Sequence, residues 1–152
     1  MIHHFSNRQL LKSDLKTVWD FFSQTENILK LTPAEMHFKV VDSKLDKIVH
    51  EGQIINYKVS PLFGIPLHWQ TEITEVREQQ YFIDVQNKGP FALWKHQHVF
   101  TPTATGILME DNVSYKMPLG SIGNLVNQLV VSHKIEALFA YRTEVLDHLF
   151  NS

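Results

Sequence analysis

The 152-residue chain contains no cysteine, which excludes a disulfide framework, a thiolate nucleophile and a cysteine-ligated zinc. No apolar run approaches the roughly 20 residues that a membrane-spanning helix needs, so no integral membrane segment is expected. The opening residues, MIHHFSNRQLL, lack the basic region, long apolar stretch and small-residue cleavage site of a secretory signal. A cytoplasmic location is therefore the default expectation. Charge of one sign is also missing: 14 Lys and Arg stand against 16 Asp and Glu, a net −2, without long blocks of either. Nucleic-acid binders draw much of their affinity from neutralised phosphates and show a concentrated basic face, so no nucleic-acid partner is expected. No internal repeat, low-complexity stretch or linker divides the chain. It reads as one domain over 1–152, long enough to bury about 70% of its unfolded surface.

What is present is a change of period. HHFSNRQLL reads as a first strand. SDLKTVWDFFS follows as a helix, with Ser13 placed to cap it, Asp14 suited to its positive start, and Leu15, Val18, Trp19 and Phe22 at helical spacing. TENILKL reads as a second short helix capped by Thr25 and stopped before Pro33. The period then becomes two: MHFKVVD, KIVHEGQIINYKV, LHWQTEITEV, YFIDVQNK, FALWKHQHVF and ILMEDNVSYKM are strands on short turns, an antiparallel meander. SPLFGIPLHW, residues 60–69, has Pro and Gly between apolar residues and reads as a loop between strands, either part of a cavity mouth or a plain turn.

The last segment returns to helical spacing, with Ile122, Leu125, Val126, Leu129, Ile135, Leu138, Phe139, Val145, Leu146 and Leu149 apolar. About 28 helical residues would span about 42 Å, and only a sheet is wide enough to receive them. The expected fold class is α+β. A curved antiparallel sheet grips a long C-terminal helix, with two short helices after the first strand.

Nine histidines are scattered over the chain, and only His96 and His98 have a spacing that carries an argument. In WKHQHVF, alternate residues share a face, so Trp94, His96, His98 and Phe100 point together while Lys95 and Gln97 point to solvent. Turns centred on Gly89–Pro90 and Thr103–Ala104 would set Asp84 opposite His96 and Gln86 opposite Trp94. They would likewise set Asp111 opposite His96 and Val113 opposite Trp94. Phe82 and Tyr115 would share that inward face.

The order of elements, with VWDFFSQTENILKLTP, LHWQTEITEV, FIDVQNKGPFALWKHQHVF, GILMEDNVSYKMPLG and ALFAYR in sequence, resembles the helix-grip superfamily, in particular its small bacterial members. That group includes birch-pollen-allergen-like proteins, START lipid-transfer domains and polyketide cyclase/dehydrase-like proteins (the SRPBCC group). The resemblance covers nearly the whole chain. It implies a mostly apolar cavity between sheet and long helix, open at one end, for a hydrophobic small molecule. It carries over no catalytic residue.

Three chemistries fit the histidine face. A His-x-His pair with a carboxylate supplies three N/O ligands of the kind zinc or iron takes, but the third ligand is undefined and no metal or other cofactor is assigned. His96 flanked by Asp84 and Asp111 suits proton transfer, as in a cyclase- or dehydratase-like enzyme. The reading adopted is a hydrogen-bonded polar stripe that orients a hydrophobic or amphipathic small molecule. Trp69, Trp94, Phe100, Val113, Tyr115 and Phe139 would supply apolar contact; Asp84, Gln86, His96, His98 and Asp111 would supply orientation. Trp19, Phe21 and Phe22 are assigned to helix–sheet packing; Arg142, one turn beyond Leu138, is assigned to the surface, with pairing to an internal carboxylate or to a ligand's anionic group as the alternative. A sheet recruiting a protein partner is the third reading of function.

Overall fold

Alternating inward and outward residues build seven strands, seen in a computed structural model that describes residues 1–61 and 64–152. They are β1 (Ile2–Leu11), β2 (Lys39–Val40), β3 (Ile54–Val59), β4 (Leu67–Arg77), β5 (Tyr81–Lys88), β6 (Leu93–Thr103) and β7 (Gly106–Lys116). All pair antiparallel in the order β1-β7-β6-β5-β4-β3-β2. The strand expected over 36–42 shrinks to β2, and the one expected over 47–59 begins only at Ile54. Gly52, at φ 84°, turns the chain there, and its N–H bonds the Ile73 carbonyl at 2.7 Å. Residues 62 and 63 of the expected 60–69 loop lie outside the described residues, and Leu67 already opens β4.

α1 (Leu15–Phe22) follows β1 and buries Val18, Trp19 and Phe22. Its cap is Asp14 rather than Ser13: Asp14 Oδ1 accepts from the Thr17 N–H at 2.9 Å. The second short helix is a 3-10 segment, Thr25–Leu31, with a further 3-10 turn at Ala34–Met36. Thr25 does not cap it, because its hydroxyl donates instead to the Asp46 carbonyl at 2.8 Å.

Two register irregularities, at Gln70/Thr71 and Ile73/Glu75, interrupt the β4–β5 ladder. Such bulges bend a strand and sharpen its twist, and the second adjoins the Ile73–Asp84 pair. Across β5 and β6, Asp84 faces His96 as expected, but the ladder ends at Val85–Lys95, short of Gln86 and Trp94. Between β6 and β7 the register lies two residues from the expectation: His98 faces Asp111, His96 faces Val113 and Trp94 faces Tyr115. The turn sits at Ala104–Thr105, inside a Thr103–Gly106 pair. A two-residue shift keeps every side chain on its face.

The C-terminal helix runs through α2 (Gly120–Val126), a π-turn (Asn127–Val131) and α3 (Ser132–Phe150). Its first part does not present the expected stripe to the sheet. Ile122, Leu125, Val126 and Leu129 remain 66, 55, 39 and 68% exposed, while Gly123, Asn127 and Val131 turn inward. A Cβ at Gly123 would sit 1.8 Å from the Pro118 carbonyl oxygen, so only glycine fits the contact. Asn127 accepts from the Tyr115 hydroxyl at 2.8 Å. From Ile135 the inward stripe is Ile135, Phe139, Arg142 and Leu146. Asn7 and Gln9 of β1 bond Thr143, and Asn151 bonds both Lys12 and Leu10, which pins the helix end to the sheet. No helix among the described residues is long and apolar enough to cross a membrane.

Two apolar clusters form between sheet and helices. One gathers Trp19, Phe22, Phe82, Phe100, Met109 and Leu146; the other gathers Trp69, Trp94, Val113, Tyr115, Ile135 and Phe139.

Candidate functional site

Between those clusters the inward faces of β5, β6 and β7 each contribute a polar residue where alternation would place an apolar one. They are Asp84, then His96 and His98, then Asp111, with both histidines and Asp111 buried. The pairs cross diagonally between strands: His96 Nε2 lies 2.6 Å from Asp111 Oδ1, and His98 Nε2 lies 2.7 Å from Asp84 Oδ2. In each the imidazole N–H donates and the carboxylate accepts. The imidazoles stack at 3.7 Å between centroids; Phe82 covers His98 at 4.1 Å, and Phe139 meets His96 edge-on at 5.6 Å. Arg142 comes down from α3, its Nη2 3.6 Å from Asp111 Oδ1 and its guanidinium 5.1 Å from the Phe139 ring.

This company sets the charges. Burial, helped by the neighbouring His96, pushes His98 down to about 4 against the pull of Asp84 and Asp111, so it is neutral at pH 7. Burial also opposes ionisation of Asp111, but the Arg142 guanidinium, the His96 hydrogen bond and the two imidazoles outweigh it and hold the carboxyl at about 2. Asp84 likewise lies below its ordinary value: burial raises it, and the His98 bond with His96 and Arg142 more than compensates. Burial pushes the Tyr57 hydroxyl up, and it stays a neutral partner of Thr71 at 3.0 Å.

The cluster opens onto a cavity of about 280 Å³ between sheet and helix. Its wall is chiefly aromatic and aliphatic, with Phe21 and Phe22 from α1, Tyr57, Trp69, Phe82 and Trp94 from the sheet, and Ile135, Leu138 and Phe139 from α3. Asp84, His96 and His98 also offer donor atoms within 4.8 Å of one another, the kind of set a cation can share. Here His98 Nε2 is engaged by Asp84, and His96 Nε2 by Asp111.

Solved structures share this architecture at low identity. A START superfamily protein from Mycobacterium smegmatis superposes with a TM-score of 0.68 at 14% identity, over 97% of this chain and 99% of that one. The chain has the helix-grip fold. A protein from Chromobacterium violaceum shares the fold at a TM-score of 0.72 and 11% identity, over 99% of both chains. Ginseng major latex-like protein 151 from Panax ginseng does so at 0.58 and 16%, over 90% of this chain and 96% of that one. No sequence-family model matches the chain, and no curated protein matches it.

Within the helix-grip frame, Trp69, Asp84, Trp94, His96, His98 and Phe139 all stand on the cavity wall. Gln86, Phe100, Asp111, Val113 and Tyr115 do not. Gln86 clamps the Phe91 backbone through both of its amide atoms. Phe100 packs with Trp19 and Phe22, and Val113 and Tyr115 lie in the other apolar cluster. Asp111 sits behind the histidines, where it holds His96. Arg142 is the largest correction, since it is 9% exposed and lines the cavity instead of the surface. The sequence held a signal for it: Arg142 follows Leu138 by four residues and Phe139 by three, on the stripe that continues to Leu146. Trp19 packs as expected, whereas Phe21 and Phe22 also reach the cavity.

Proposed function

We propose that this helix-grip protein binds a hydrophobic or amphipathic small molecule between its sheet and its C-terminal helix, as a carrier or a sensor. The observation that carries the reading is the cavity, near the lower end of the ~300–1,000 Å³ range of ligand pockets, with a mostly apolar wall and the Asp84, His96, His98 and Arg142 side chains converging on it. Trp69, Trp94 and Phe139 supply contact area; His96, His98 and Asp84 fix orientation, with Asp111 holding His96 from behind. A ligand retained through purification should appear in mass spectra of the denatured protein. Leu138→Trp, which fills the cavity from α3, should remove that ligand while leaving the protein folded. Equal ligand content in both proteins would contradict the assignment.

One observation favours a second reading in the same cavity. His98 is an uncharged imidazole on the wall, and its Nδ1 has no hydrogen-bond partner. A free-base imidazole backed by a carboxylate can act as a general base, which suits a cyclase- or dehydratase-like reaction. Turnover abolished by His98→Gln with ligand affinity retained would favour the enzyme over the carrier.

A further inference from the structure

Five buried side-chain polar atoms have no hydrogen-bond partner among the described residues, and four belong to residues on the cavity wall: Asn27, Trp69, His98 and Arg142. Two of these four, Trp69 Nε1 and Arg142 Nε, can only donate. Buried polar groups are ordinarily paired, and leaving one unpaired is costly. Asn27 Oδ1 and His98 Nδ1 are spare acceptors on the same wall, so a fitting ligand brings acceptors at the positions of Trp69 and Arg142 in particular.

Arg142 is the stronger of the two donors. It is charged at any physiological pH, and its planar fork matches a carboxylate in two parallel hydrogen bonds. Among the described residues its nearest carboxylate oxygen, Asp111 Oδ1, is 3.6 Å from Nη2, beyond hydrogen-bond reach, and Asp84 feels its charge from farther off. Asp111 Oδ1 already accepts from His96 at 2.6 Å, and Asp111 is not part of the wall. The Phe139 ring steadies the guanidinium from one side. Each nearby acid is already engaged by an imidazole N–H, Asp111 by His96 and Asp84 by His98. The other cation on the wall, Lys134, belongs to the exposed surface of α3. A single buried guanidinium suits one negative charge better than the two of a phosphate.

We infer that Arg142 is the receptor for a carboxylate, so that the ligand is an organic acid with an apolar body. The inference rests on the ligand-binding reading above and adds the charge and position of the headgroup.

Octanoate and 1-octanol, equal in chain length, separate the headgroup from the tail. Binding is measured at pH 7.5 by calorimetry and by the fluorescence of Trp69 and Trp94, which stand on the wall. Octanoate should bind at least ten-fold more tightly than octanol, although the alcohol is the more hydrophobic of the two. Arg142→Met should bring the two within about two-fold, chiefly by weakening octanoate, and Lys134→Gln should preserve the preference. Arg142→Lys, which keeps the charge but loses the fork, should retain only part of it; this variant decides if Arg142→Met does not fold. Equal binding of both probes to the wild-type protein overturns the carboxylate receptor and leaves the cavity reading standing. No heat and no fluorescence change with either probe overturns both.

Discussion

His98 is the residue whose chemistry is moved furthest from its behaviour in water. Folded, it protonates at about 4 against 6.5 for the ordinary side chain, so the unfolded chain takes up the proton first. Stability should be undiminished above about pH 6.5 and fall as pH drops toward 4, by a loss on the order of 3 kcal/mol. Asp111 acts lower down: its depressed value stabilises the fold above about pH 3.8, and that contribution disappears as pH falls through about 2. Urea unfolding between pH 4.5 and 7.5 measures the upper window, and His98→Gln should flatten the slope there. Because the comparison is between two proteins, the exposed His50–Asp46 pair, whose linkage has the opposite sign, cancels. Asp111→Asn removes the partner of two buried groups and should cost about 3–5 kcal/mol. The alternation of WKHQHVF was enough to put both histidines on one face, and the Gly89–Pro90 turn set Asp84 opposite His96, as the strand pairing has it. For Arg142 the surface was preferred over an inward role because a charged residue on a helix is usually solvated, and only the tertiary fold turns its stripe inward.

At the scale of elements, helical and strand periods were legible wherever one face is buried and the other wet. They failed where the apolar face is not the covered one. Ile122, Leu125, Val126 and Leu129 have the spacing of a buried stripe, yet Gly123 and Asn127 are what the sheet receives. A periodic pattern states which residues share a face and not which face is covered. The π-turn at Asn127–Val131 has no local signature, and the two-residue displacement between β6 and β7 could not be seen from alternation, which repeats every two residues. Gly123→Ala tests the close approach at the helix start. Since the added methyl meets backbone at 1.8 Å, α2 has to move, and stability should fall by about 1–3 kcal/mol. A thermal melt superimposable on wild type would show that α2 yields freely.

For the whole molecule, the order strand, short helices, meander and long helix was sufficient to reach the helix-grip architecture, because few folds can place so long a helix against so few strands. The cavity was less legible. Its wall draws on α1, the 3-10 segment, β3 to β6 and α3, so no contiguous stretch of chain spells it out. Phe100, Val113 and Tyr115 alternate as regularly as Trp94 and Trp69, but sheet curvature and helix position leave them in packed apolar clusters. Site and core are written in the same residues here, and only three-dimensional packing separates them.

The unpartnered polar atoms around the cavity bear on how long the protein survives. A molecule that supplies their missing partners binds the folded chain and not the unfolded one, so occupancy adds stability by mass action, about 2.7 kcal/mol at a hundred times the dissociation constant. Proteolysis acts on the transiently opened chain, whose population shrinks in proportion. The supply of ligand would then help set the abundance of its own receptor, a link between metabolite level and protein half-life that needs no transcriptional control.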